Sequence, residues 1–226
     1  MGEQRNESEQ QIKSTYYCNH RIGHYVISLW KSIKRTEANE DVRHQRLAWL
    51  LGELGARYGA QTAFVGDGFQ IGLRQPLAVC ECALFIRAGL LAVSPSRRDR
   101  WDVAISMAVG RVESARGVED VYGAARRGLD ELERGYLAFR ADREPLHLSL
   151  SLATAFVDDV LTHWTPSEAE AYFEHLRMPG GHKAIAQRLR KSRPTVTKTL
   201  LRARYNLIDR YRRDAQTLMK LSQDSA

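Results

Sequence analysis

The apolar positions along this chain change their period several times, and each change marks an element. Tyr25-Val-Ile-Ser-Leu29 is a short, unbroken apolar run that predicts a buried strand. Between Glu40 and Tyr58, the residues Val42, Leu47, Leu50, Leu51, Leu54 and Tyr58 keep a 3.6-residue period, which predicts a helix. Thr62 to Leu73 holds two apolar stretches joined by Gly66-Asp67-Gly68, a hairpin signal. A helix fits Pro76 to Val93, a strand Trp101 to Val109, and a helix Val118 to Phe139. The order is β-α-β-β-α-β followed by a helix, so the expected fold class is α+β with a ferredoxin-like domain. Residues 1–24 lack a sustained period and read as a lead-in.

The second half of the chain is helical in pattern throughout. His147 to Leu161 is apolar enough for a packed connecting helix. Trp164 to Leu176 predicts another, with Thr165 as N-cap, Pro166 in the first turn and Glu168 completing a capping box; Gly180 and Gly181 end it. In His182 to Leu189, Ile185, Ala186 and Leu189 share one face of a short helix. Lys191-Ser192-Arg193 breaks the rhythm. A longer helix then begins, with Ser192 as cap, Pro194 in the first turn, and Val196, Leu200, Ala203 and Leu207 on its apolar face. Three helices of this kind predict an all-α helix-turn-helix domain. The expected division is a lead-in (1–24), a ferredoxin-like domain (25–145), a connecting helix (146–163), a helix-turn-helix domain (164–215) and a tail (216–226).

Charge sharpens this picture. From His182 to Arg213 there are eleven Lys or Arg residues against one acid, Asp209, a balance of +10 within a chain whose net charge is +7. One short segment is therefore suited to a polyanion. On the helix that starts at Ser192, the face opposite the apolar one carries Arg193, Thr195, Thr197, Lys198, Arg202 and Tyr205, side chains that donate to base edges or phosphates. Lys183 and Arg188, on the preceding helix, are candidates for phosphate contacts. The expected partner is double-stranded DNA, bound by a homodimer because one such unit reads only a half-site.

Other chemistry is sparse. Hydrophobic residues make up 43% and charged residues 27% of the chain, ordinary for a protein with a real core. Cys18, Cys80 and Cys82 fit neither a disulfide framework nor a zinc motif, and the histidines lack zinc-enzyme spacing. No cofactor or metal is expected. No apolar stretch approaches the roughly 20 residues of a membrane span, and no secretory signal is evident, so the expected location is the cytoplasm, with no membrane partner.

The run Ile185-Ala-Gln-Arg-Leu-Arg-Lys-Ser-Arg-Pro-Thr-Val resembles the helix-turn-helix of many bacterial regulators, whose usual shape is Ile-Ala-x-x-Leu-Gly-x-Ser-x-x-Thr-Val. Arg190 stands where glycine commonly adopts a left-handed conformation, and Lys191 where an apolar residue usually plugs the turn. Phe64-Val-Gly-Asp-Gly-Phe-Gln-Ile-Gly-Leu73 resembles the hairpin of class III nucleotidyl cyclase domains, and its Phe69-Gln70 continuation is more similar to the bacterial SatD family. Ile105 to Arg111 resembles a later strand of that plan, and Tyr122-Gly-Ala-Ala-Arg-Arg-Gly-Leu129 the helix after it.

The resemblance implies a SatD-like chain with a cyclase-like domain and a C-terminal helix-turn-helix, spanning roughly residues 25–210. Cyclases hold two metal ions on two carboxylates. Here Leu29, Trp30 and Lys31 occupy the region of the first carboxylate, and Gly68 that of the hairpin acid, leaving Asp67 alone. This implies a catalytically inactive domain serving dimerisation or the sensing of an unidentified small-molecule effector, not an enzyme. The alternative keeps Asp67 as a vestigial metal or nucleotide site; Gly66-Asp67-Gly68 read simply as a tight turn needs neither. A further alternative has the basic helices meeting RNA or an acidic protein.

Overall fold

The computed structural model describes residues 23–32, 40–65, 68–73, 75–112, 115–178 and 180–224. Over these the protein is a mixed α+β structure, mostly helical, built on one five-stranded sheet. The elements run β1 (Gly23–Ser32), α1 (Glu40–Tyr58), β2 (Gln61–Val65), β3 (Gly68–Leu73), a 3₁₀ turn (Pro76–Ala78), α2 (Val79–Leu91), β4 (Val103–Val112), α3 (Ala115–Asp130) and β5 (Leu137–Ala141). Five helices follow: α4 (Glu144–Thr162), α5 (Pro166–Arg177), α6 (Gly181–Arg188), α7 (Arg193–Arg202) and α8 (Tyr205–Asp224).

The strand order is β2-β3-β1-β4-β5, antiparallel except for the β4–β5 pair. Alternation along β4 separates the two faces of the sheet. Val103, Ile105, Met107 and Val109 join the main core beneath α2, whereas Ala108 packs with Val118, Val121 and Ala125 of α3 on the opposite face. Small residues let α3 lie close: a Cβ on Gly110 would stand 2.7 Å from Val121, and one on Gly128 would collide with the Ser106 hydroxyl.

Several sequence expectations are corrected. The helix expected to reach Phe139 stops at Asp130, and Leu137–Ala141 is instead a strand parallel to β4. Gly128 and Gly135 weaken helical continuation there, and Leu137 and Phe139, two apart, both enter the core. The strand expected to begin at Trp101 begins at Val103, because Asp102 is held by side chains of other elements. The long helix expected to carry Leu207 on its apolar face breaks after Arg202, where Arg204 takes a left-handed φ of 54°, and Leu207 is largely exposed. The expected tail at 216–226 is instead helical through Asp224, with Met219 buried.

The main core is continuous. Leu50, Phe85 and Leu90 belong to the same buried cluster as Tyr172, Ile185, Leu200, Ile208 and Met219, so the packing runs across the boundary expected at 163/164. Phe85 and Phe173 meet at a ring separation of 4.8 Å where α2 packs against α5. No described helix is long and apolar enough to cross a membrane. Asp67 and residues 1–22 of the lead-in lie outside the described residues.

Candidate nucleic-acid interface

Local chemistry sets the ends of α5, α6 and α7. Thr165 Oγ1 accepts the Glu168 backbone N–H while the Glu168 carboxylate accepts the Thr165 N–H, so the expected capping box is formed. Ser192 caps α7, its hydroxyl accepting the Thr195 N–H at 3.3 Å, with Pro194 in the first turn. Between α6 and α7 the chain turns through Leu189–Ser192. Arg190 occupies the left-handed region, at φ 52°, as its place in the turn requires. A non-glycine residue there costs roughly 1 kcal/mol. Below the turn, Ile185, Ala186, Val196 and Leu200 are buried together.

The expected contact residues divide into three groups. Lys183, Arg193, Thr195 and Lys198 are exposed, and the three cations among them have no acidic partner among the described residues. Arg202 also points outward, with 69% of its side chain exposed, although its Nε lies 3.5 Å from Glu168 Oε1. Thr197 is half-buried and its hydroxyl hydrogen-bonds the His182 ring at 3.0 Å, so it helps join α6 to α7. Arg188 is engaged differently: its Nε donates to Glu174 Oε2 at 2.7 Å and its Nη2 to the carbonyls of Glu174 and Met178, so the guanidinium braces α6 against α5.

Sequence reasoning missed the exposed Arg190 and Arg204, which add charge at the two ends of α7; their positions within the basic segment were the available signal. It also missed the polar frame beneath the interface. Trp164 Nε1–H donates to the Ala203 carbonyl at 2.9 Å, fixing the C-terminal end of α7 to the start of α5. Asp209 of α8 accepts from Tyr172 at 3.1 Å and bonds His175 at 2.7 Å, both on α5. Arg212 then reaches Glu81 of α2 at 2.7 Å, and Tyr58 of α1 donates to the same carboxylate. Burial alone would raise the Asp209 carboxyl, but the bond and charge of His175, with Arg212 and Tyr172, outweigh it and hold the group below its ordinary value.

Away from this surface, the Arg87 guanidinium is fully buried and bonds both Asp102 oxygens, at 2.9 and 2.8 Å, and Asp158 at 2.5 Å. Cys80 and Cys82 are buried free thiols; burial pushes Cys80 up to about 12 despite an opposing hydrogen bond from Tyr211, so it behaves as core. Among the described residues no group of three or more His, Cys, Asp or Glu could hold a metal ion. No protein-family model matches the chain, and no curated protein is significantly similar to it.

Proposed function

We propose that this protein is a sequence-specific DNA-binding regulator of the SatD-like kind, in which α6 and α7 act as a helix-turn-helix and α7 reads the major groove. The observation that carries this reading is the outward row Arg193, Thr195 and Lys198 on the first half of a capped helix, with its cations unpaired by acids among the described residues. That is the half of a recognition helix that meets base edges. The strand order β2-β3-β1-β4 supports a ferredoxin-like arrangement for the N-terminal part, in keeping with a cyclase-like domain that no longer catalyses. The regulator acts as a homodimer, and the outward face of α4 supplies the pairing surface. Leu148, Leu152 and Phe156 lie there at one-turn intervals, exposed by 59, 63 and 67%, more than any other large apolar side chain described.

Selection of bound duplexes from a random pool, at about physiological salt where non-specific phosphate binding is strongly weakened, tests the reading. Enrichment of a two-fold-related motif is expected. The Arg193→Ala, Lys198→Ala double variant should lose roughly 1–3 kcal/mol per lost base contact. Absence of enrichment, or a double variant that selects the same motif with the same affinity, would reject it.

A further inference from the structure

The turn ahead of β4 carries a second group of cations that the α7 surface does not include. Ser96 Oγ accepts the backbone N–H groups of Arg98 and Asp99, at 3.2 and 3.0 Å, and Ser94 Oγ accepts that of Trp101 at 2.9 Å, which holds this segment in a defined shape. Arg97 and Arg98 project from it, exposed and without an acidic partner among the described residues. Asp99 is the one acid in the turn and is also exposed.

The turn is tied to the far end of the candidate interface. Arg100 donates Nη1 to the Trp164 carbonyl at 2.8 Å, and Nη2 to the Leu161 carbonyl at 3.2 Å and Asp102 at 3.1 Å. Asp102 is in turn gripped by the buried Arg87. The Trp164 indole donates to Ala203, the residue that ends α7. Two side chains, Arg100 and Trp164, therefore link the Arg97-Arg98 turn to the C-terminus of α7. Arg97 and Arg98 lie three and two residues before Arg100, so the segment that this link anchors carries both arginines. A helix that enters the major groove by its N-terminal half has its C-terminal end beside the phosphate backbone that borders the groove.

We infer that Arg97 and Arg98 form a second phosphate-binding element, which clamps the duplex backbone beside the C-terminal end of α7. This rests on the DNA-binding reading above and extends the interface to a segment that belongs to the sheet half of the chain. Contacts of this class fix register and add salt-dependent affinity, and they carry no base preference of their own. The two arginines act as charges on the strand backbone, while Arg193 and Lys198 read the bases.

The test measures binding of the full-length chain to a fluorescent random-sequence duplex of about 30 base pairs over a range of salt concentrations. The Arg97→Ala, Arg98→Ala variant should bind more weakly than wild type, with a log–log salt slope shallower by about 2, since each neutralised phosphate contributes about 0.9. Arg97→Lys, Arg98→Lys should restore the slope, which a purely structural role of the guanidiniums would not permit. Arg126→Ala, Arg127→Ala removes the same charge from α3, across the sheet, and should leave the slope unchanged. An unchanged slope in the Arg97, Arg98 alanine variant, or an equal loss in the α3 variant, would overturn the inference while leaving the α7 interface standing. A wild-type protein that binds no duplex at low salt would remove the DNA-binding reading itself.

Discussion

Arg188 and Glu174 form the tightest polar joint between α6 and α5: the guanidinium Nε meets Glu174 Oε2 at 2.7 Å, and the same side chain ties down the Glu174 and Met178 carbonyls. Glu174 is only 8% exposed, so it depends on this partner and on Arg177 for its charge to be tolerated. Arg188→Ala should therefore lower stability by about 1–3 kcal/mol, because it leaves a buried carboxylate with Arg177 as its one remaining bonded cation. Urea unfolding checks this. A variant as stable as wild type would return Arg188 to the pool of free phosphate contacts.

The buried Arg87 supports a larger effect. It joins α2 to the approach to β4 and to α4 through Asp102 and Asp158, with essentially no water access. Arg87→Met removes the buried cation that two acids share, leaving Asp158 with a backbone N–H and Asp102 with Arg100, at a cost of about 3–5 kcal/mol. Because Asp102 also positions Arg100, a folded remnant of this variant should show increased proteolysis near residues 94–100. Equal midpoints for variant and wild type in chemical denaturation would contradict the assignment.

How much of this was legible in the sequence follows from how local each feature is. The capping box at Thr165 and Glu168, the Ser192 cap and the left-handed turn at Arg190 depend on residues a few positions apart, and sequence reasoning placed all of them. The outward row on α7 was readable for the same reason, since a helical period fixes its faces. Arg87 meets partners 15 and 71 residues away, and no pattern around Arg87 points to them. Arg188 and Thr197 looked available for DNA because their hydrogen-bond partners, Glu174 and His182, are neighbours only after the helices pack. β5 was hidden by the helical period before it, which carries no information on where the helix must stop.

The proposed pairing surface on α4 makes a sharp prediction about Leu152. A second copy laid antiparallel with Leu152 on the two-fold axis sets Leu148 of one copy against Phe156 of the other. Asp159, seven residues or nearly two turns from Leu152, lies on the same face; a parallel pair would set it against its own copy, whereas the antiparallel pair keeps the two apart. Leu152→Asp places two like charges on the axis and should convert the dimer to a monomer that stays folded, because Leu152 is 63% exposed in the isolated chain; its melting temperature should lose only the concentration-dependent part that pairing supplies. Sedimentation velocity over a wide concentration range reads the outcome. A wild-type monomer, or a dimer indifferent to Leu152→Asp, rejects this surface.

Acid stability should report on Asp209. Its carboxylate is 8% exposed and faces Tyr172 and His175 from α5 and Arg212 along α8, which itself reaches Glu81 of α2. The carboxyl is held below its ordinary value in the folded state. The deprotonated group therefore stabilises the fold fully above its unfolded value of about 3.9, and that contribution is lost as the pH falls through the lowered folded value. Asp209→Asn keeps the shape but cannot bind a proton in this range. The variant should be less stable than wild type near neutral pH by about 1–3 kcal/mol, and its stability should fall less steeply between about pH 5 and pH 2. Denaturation midpoints measured across that range distinguish the two. Parallel acid curves for variant and wild type would mean that Asp209 titrates alike in the folded and unfolded chains, and that the His175 and Tyr172 bonds do not set its charge.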